Sequence, residues 1–246
     1  MLRRPRIIPR LAIKGPNVIV TVNMEGLRVV GKPADLARRY AEDADEILFM
    51  DSVASLYGRN QLTSLLEETT DDVFIPITVG GGIRSRADVK RLLDAGADKV
   101  AINSAAVRNP GLIKECAEFY GSQAIVVSIE AKRMERGTWE AFTDCGRERS
   151  GKEAVAWAHE AVRLGAGELL ITSVDREGTR RGCDLELIRA IAPNVPVPVI
   201  AHGGIASAAD VQAVADLGAC VAMSTALHTG AATVGGIRAA LTEATV

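Results

Sequence analysis

The chain is poor in histidine, with three residues, His159, His202 and His228, that lie far apart. No carboxylate–histidine cluster has the spacing of metal ligands, so no metal site is expected. Its four cysteines, Cys116, Cys145, Cys183 and Cys220, include no C-x-x-C pair. That argues against structural zinc and against a disulfide framework, leaving reduced thiols in a cytoplasmic protein as the expectation. An excess of either charge is also missing: 29 Lys and Arg face 31 Asp and Glu, a net of −2. Without a basic field nothing points to nucleic acid, although local cationic sites remain possible. No apolar run approaches the roughly 18–20 residues that cross a bilayer. The start, MLRRPRIIPRL, lacks the long apolar stretch and cleavage site of a signal peptide. Trp139 and Trp157 form no cofactor box, and no cofactor is expected.

What the chain does have is alternation. Short segments rich in Val, Ile and Leu fall at 7–11, 46–50, 75–79, 99–102, 124–129, 168–172, 197–201 and 220–223. They are mostly continuous rather than alternating in polarity, as strands covered on both faces should be. Helix-period segments at 34–44, 86–95, 109–120, 152–164, 184–191 and 208–217 lie between them. This pattern predicts a parallel sheet, open or closed. An internal repeat decides between the two. IPITVGGGIRSRADVKRLLDAGA at 75–97 returns as VPVIAHGGIASAADVQAVADLGA at 197–219, placing Gly82 and Gly204 122 residues apart. Glu46 in DEILF and Glu168 in GELLI share that offset. A duplicated half exposes an open sheet edge, which two halves remove by closing on each other. The expected fold is an α/β (β/α)8 barrel (a TIM barrel), one domain over 1–246, with half-barrels at about 1–122 and 123–246. A chain of this length can bury roughly 70–75% of its unfolded surface.

Active sites of such barrels lie at the C-terminal ends of the strands. Gly80-Gly81-Gly82 follows one strand and His202-Gly203-Gly204 follows its repeat partner; Asn103-Ser104 and Ser224-Thr225 follow the neighbouring strands. Glycine lets backbone N–H groups approach an anion, and a following helix adds a favourable dipole. The same residues also suit tight turns and helix caps. Their doubling favours a ligand with a phosphate at each end.

At this point the chain resembles the family of cyclase subunits of imidazole glycerol phosphate synthase. The matching stretches include DEILFMD (45–51), TVGGGI (78–83), GADKVAIN (96–103), GSQAIVVSIEAKR (121–133), GAGELLITSVDREGT (165–179) and DLELIR (184–189). The resemblance implies phosphate contacts at Gly81, Gly82, Asn103 and Ser104 on one side, and at Gly178, Gly203, Gly204, Ser224 and Thr225 on the other. It implies a glutaminase partner in a heterodimer and an ammonia gate of Arg6, Glu46, Lys99 and Glu168, with Asp98 as a partner contact. Physical chemistry independently expects cations beside Glu46 and Glu168, since unpaired buried carboxylates are costly. A salt-bridge plug in the barrel floor satisfies that expectation equally, and Asp98 is also an ordinary surface acid.

The chain departs from the family at the centre of the site. The family's two acid–base aspartates fall at Ala12 and Glu130, and alanine cannot move a proton. Its anion-binding lysine falls at Val20, polar loop positions fall at Val53 and Glu177, and small residues fall at Arg10 and His202. Asp51 and Thr172 are retained. The expected catalytic set is Glu130, with Asp51, His202 and Glu177 as helpers; His202 could instead fill space and bond Glu130 or Glu177. His159 and His228 fit structural or surface roles. The leading expectation is an enzyme that transfers ammonia to a phosphorylated sugar or nucleotide-like acceptor and does not support histidine formation. The loss of the first aspartate is shared by cyclase-like proteins of bacterial surface-sugar pathways. The alternatives are the histidine-pathway cyclase itself, forming imidazole glycerol phosphate and AICAR, and a non-catalytic barrel that binds a phosphometabolite and regulates a glutaminase.

Overall fold

The computed structural model describes residues 4–52 and 62–243. Val53 lies outside them.

Strand β1 (Ile7–Lys14) runs on into an antiparallel hairpin of β2 (Asn17–Val22) and β3 (Glu25–Gly31). Then come β4 (Ile47–Asp51), β5 (Ile77–Gly80), β6 (Lys99–Ile102) and β7 (Ile125–Arg133). A second antiparallel hairpin, β8 (Trp139–Thr143) and β9 (Glu148–Glu153), extends β7 as the first extends β1. The chain finishes its sheet with β10 (Glu168–Ser173), β11 (Val199–His202) and β12 (Cys220–Met223). β1, β4, β5, β6, β7, β10, β11 and β12 pair in parallel in that order, and β12 pairs back with β1. The sheet is therefore a closed eight-stranded barrel with helices between its strands.

The eight expected barrel strands are all present. The two hairpins were not expected, for a physical reason. Two-residue hairpin turns need positive φ at both central positions, and Asn-Gly or Asp-Gly announces them. Here the first turn is made by Asn23 and Met24 at φ 52° and 64°, and the second begins with Asp144 and Cys145 at 51° and 60°. Neither pair carries the usual signal.

Side chains sort by the strand period of two. Along β1, Ile7, Leu11 and Ile13 join the layer between sheet and helices, while Ile8 points into the barrel with Leu48, Met50, Val126, Leu170 and Ile200. The duplication is visible in matched devices. Ser85 and Asp88 form a capping box at the helix Arg86–Asp94, and Ser207 and Asp210 form the same box at Ala208–Ala215. A Cβ on Gly81 would stand 2.3 Å from the Asp51 carbonyl oxygen, and one on Gly203 would stand 2.6 Å from that of Ser173. Both glycines have positive φ, 106° and 110°, so both loops are held to glycine by conformation and by space.

Candidate active site

Arg6, Glu46, Lys99 and Glu168 sit at or just before the N-terminal ends of β1, β4, β6 and β10, on the barrel floor. Their side chains close a ring of alternating charge. Arg6 bonds Glu46 at 2.8 Å and also Glu168, while Lys99 bonds Glu46 at 2.7 Å and Glu168 at 2.6 Å. Thr78 donates to the remaining oxygen of Glu46. The carboxylates are buried, with side chains 2% and 5% exposed, so each needs both cations. Burial works to lower the Arg6 pKa, but Glu168 and Glu46 outweigh it and raise it. Exposed Asp98 accepts from the Ile77 N–H at 2.8 Å, tying the start of β5, and so has a structural task whether or not it meets a partner.

Above the ring lies an apolar layer that includes Ile8, Leu48, Val126, Leu170 and Ile200. At the opposite end, two pockets open where the sequence placed two phosphate edges. One is lined by Gly81, Gly82, Asn103 and Ser104, and continues to Arg10, Asp51 and Glu130. The other is lined by Gly178, Gly203, Gly204, Ser224 and Thr225, with His202 in its wall. Arginines the sequence reading passed over stand beside both: Arg84 and Arg108 at the first, Arg180 at the second. Arg84 and Arg180 closely follow the glycines Gly80–Gly82 and Gly178, and Arg108 closely follows Asn103-Ser104, which was the available signal. Arg108 is held by Asp144, whose backbone N–H donates to Ser104 at 3.0 Å.

A third cavity, under the first hairpin, shares Arg10, Glu130 and Cys145 with the first pocket and adds Ala12, Thr21 and Met24. Glu130 is therefore at the junction of the mouth. It is 6% exposed and accepts from the Gly146 N–H at 2.8 Å. Burial pushes its pKa up to about 7, against the lowering effects of the Gly146 N–H and the Arg10 charge. Such a carboxyl can both take and give a proton near neutrality. Cys145 donates to the Ser52 carbonyl, and burial together with Glu130 pushes its thiol up to about 11, so it stays protonated.

His202 is 3% exposed, and its Nδ1 has no hydrogen-bond partner. It bonds neither Glu130 nor Glu177. Burial, then the charges of Arg10 and His228, hold its pKa well below the usual value, so it is a neutral imidazole. His228 takes a structural role: one ring nitrogen meets Tyr40 Oη at 2.7 Å and the other the Arg10 carbonyl at 2.9 Å. Glu177 is fully engaged elsewhere. Its Oε1 accepts from Thr21 Oγ1 at 3.0 Å and its Oε2 from the Met24 N–H at 2.8 Å, which clamps the first hairpin over the mouth. Glu177→Ala is expected to destabilise the chain by about 1–3 kcal/mol and to speed proteolysis at the hairpin. Limited proteolysis beside urea denaturation checks both, and an unchanged cleavage rate would assign the clamp no role. Among the described residues no group of three His, Cys, Asp or Glu side chains could hold a metal ion.

The chain matches the family described as "Histidine biosynthesis protein" over residues 6–233. It is 57% identical over 201 residues, 81% of this chain and 95% of the relative, to the "Imidazole glycerol phosphate synthase subunit HisF" of Legionella pneumophila. It is 51% identical over 246 residues, 99% of this chain and 96% of the relative, to the protein of the same name in Myxococcus xanthus (strain DK1622).

The chain belongs to the cyclase-subunit family of imidazole glycerol phosphate synthase.

Family membership makes it an enzyme of the cyclase type. Within this cyclase barrel, the described residues include no helix long and apolar enough to cross a membrane.

Proposed function

We propose that this chain is the ammonia-using cyclase subunit of a two-protein synthase of the cytoplasm. A glutaminase partner docks on the floor, ammonia passes the charge ring, and the reaction takes place at the mouth on a ligand with a phosphate at each end. The observation that carries this reading is the order of residues along β1. Alternate positions read Arg6, Ile8 and Arg10, from the ion ring through the apolar interior to the cavity beside Glu130. Neutral ammonia crosses an apolar layer at little cost, whereas ammonium and other ions do not.

In this reading the glycine loops and Ser104 and Thr225 hold the two phosphates, so the middle of the ligand lies over Glu130. Glu130, titrating near neutrality, removes and returns the protons as ammonia adds and the ring closes. Asp51, 5% exposed in the wall of the first pocket, orients the ligand. His202, being neutral, offers a hydrogen bond and not a charge. Glu177 holds the hairpin instead of moving protons.

Both relatives carry the name of the histidine-pathway synthase at 57% and 51% identity, which favours formation of imidazole glycerol phosphate and AICAR over a new reaction. Introduced into a histidine-requiring strain that lacks the cyclase, the gene is therefore expected to restore growth. A second reading, another phosphorylated acceptor, draws on Ala12 and Arg10 in the cavity beside Glu130. Failure to restore growth, together with ammonium-dependent turnover of such an acceptor, would select it.

A further inference from the structure

Arg10 is a permanently charged side chain placed where the barrel interior meets the mouth, and it is 7% exposed. Its Nε is buried without a hydrogen-bond partner, and among the described residues no carboxylate comes within ion-pair distance of its guanidinium. Glu130, the acid nearest in effect, is held by the Gly146 N–H. His202 on the other side is neutral. A buried cation with no carboxylate in direct contact is costly, so this position asks for an anion from outside the chain. The guanidinium lines the first glycine-loop pocket and the cavity under the hairpin, and both are open to solvent at the mouth.

We infer that Arg10 forms a third anion subsite, central to the mouth, which binds the carboxylate of a ligand whose phosphate sits in the Gly81–Gly82–Ser104 pocket. A planar carboxylate matches the guanidinium fork in geometry and charge. A carboxyl-bearing phosphorylated molecule is thus preferred over its alcohol counterpart. The inference rests on the phosphate pocket of the proposed function but not on which acceptor is transformed there.

Titration calorimetry of the full chain with 3-phosphoglycerate and with glycerol 3-phosphate separates these points. The expected result is at least about tenfold tighter binding of 3-phosphoglycerate, the scale of a charge-assisted hydrogen bond. Arg10→Met should abolish that preference while leaving glycerol 3-phosphate affinity unchanged. Arg10→Gln serves the same purpose should the methionine variant not fold. Equal affinities in the parent, or a preference that survives either folded variant, would overturn the subsite while leaving the phosphate pocket intact. If neither compound binds, the phosphate pocket fails and the inference falls with it.

Discussion

Replacing Glu130 by glutamine is expected to lower ammonium-dependent turnover by about 100- to 10,000-fold, the usual contribution of a positioned acid–base group. The same change should make the folded chain more stable above neutral pH. Both follow from one location. Glu130 is buried at the junction of the mouth cavities, and burial raises its pKa to about 7. In the unfolded chain the carboxyl titrates near the ordinary ~4.3. The folded state therefore holds the proton over a range in which the unfolded state has released it. The contribution to stability is fully present below the unfolded pKa and is lost as pH rises through about 7. The difference is on the order of 3–4 kcal/mol at alkaline pH. Glutamine keeps the shape, has no proton to lose and escapes that cost. Urea midpoints for parent and variant should nearly coincide at pH 4, apart from a pH-independent offset, and separate in favour of the variant by pH 8.5. Parallel curves across that range would mean that the carboxyl is not buried as described. Activity retained in a folded Glu130→Gln chain would move the acid–base role to another group.

Replacing Lys99 by methionine is expected to cost about 3–5 kcal/mol of stability, the toll of leaving a buried charge without its partner. Lys99 is the better buried of the two cations in the floor ring, with a side chain 15% exposed against 30% for Arg6. It bonds both Glu46 and Glu168, and without it two carboxylates share Arg6 alone. The loss should show as a lowered urea midpoint with an unchanged denaturant slope. The proposed gate adds a functional signature that a simple plug would not have. With the glutaminase partner present, glutamine-dependent turnover should fall relative to turnover supported by added ammonium salts, since the latter can enter at the mouth. If both activities decline together, in proportion to the folded fraction, the ring is a plug and nothing more.

Much of the barrel was legible in the sequence because its strands are covered on both faces and therefore nearly unbroken in polarity. The 122-residue offset did the rest, since Gly82 with Gly204 and Glu46 with Glu168 mark corresponding ends of corresponding strands. The paired glycine loops were legible for a related reason: at Gly81 and Gly203 a backbone carbonyl lies where any Cβ would go. The hairpins were not legible, because Asn-Met and Asp-Cys are weak turn signals, and nothing local marks a strand extended by its own hairpin.

The site divides in the same way. The 122-residue repeat paired Glu46 with Glu168 and the Gly80–Gly82 loop with the His202–Gly204 loop, while the resemblance to the cyclase family supplied Arg6, Lys99 and the individual phosphate-binding glycines. Only the tertiary structure decided how each titratable group at the mouth is employed. Glu177, beyond the end of β10, and Glu130, inside β7, are both buried acids at the mouth, yet one is bonded through both oxygens to the hairpin while the other is left with a pKa near neutrality. His202 could have bonded either acid and meets neither. The partners of Glu177, Thr21 Oγ1 and the Met24 N–H, lie more than a hundred positions away in the chain, and no spacing rule records them.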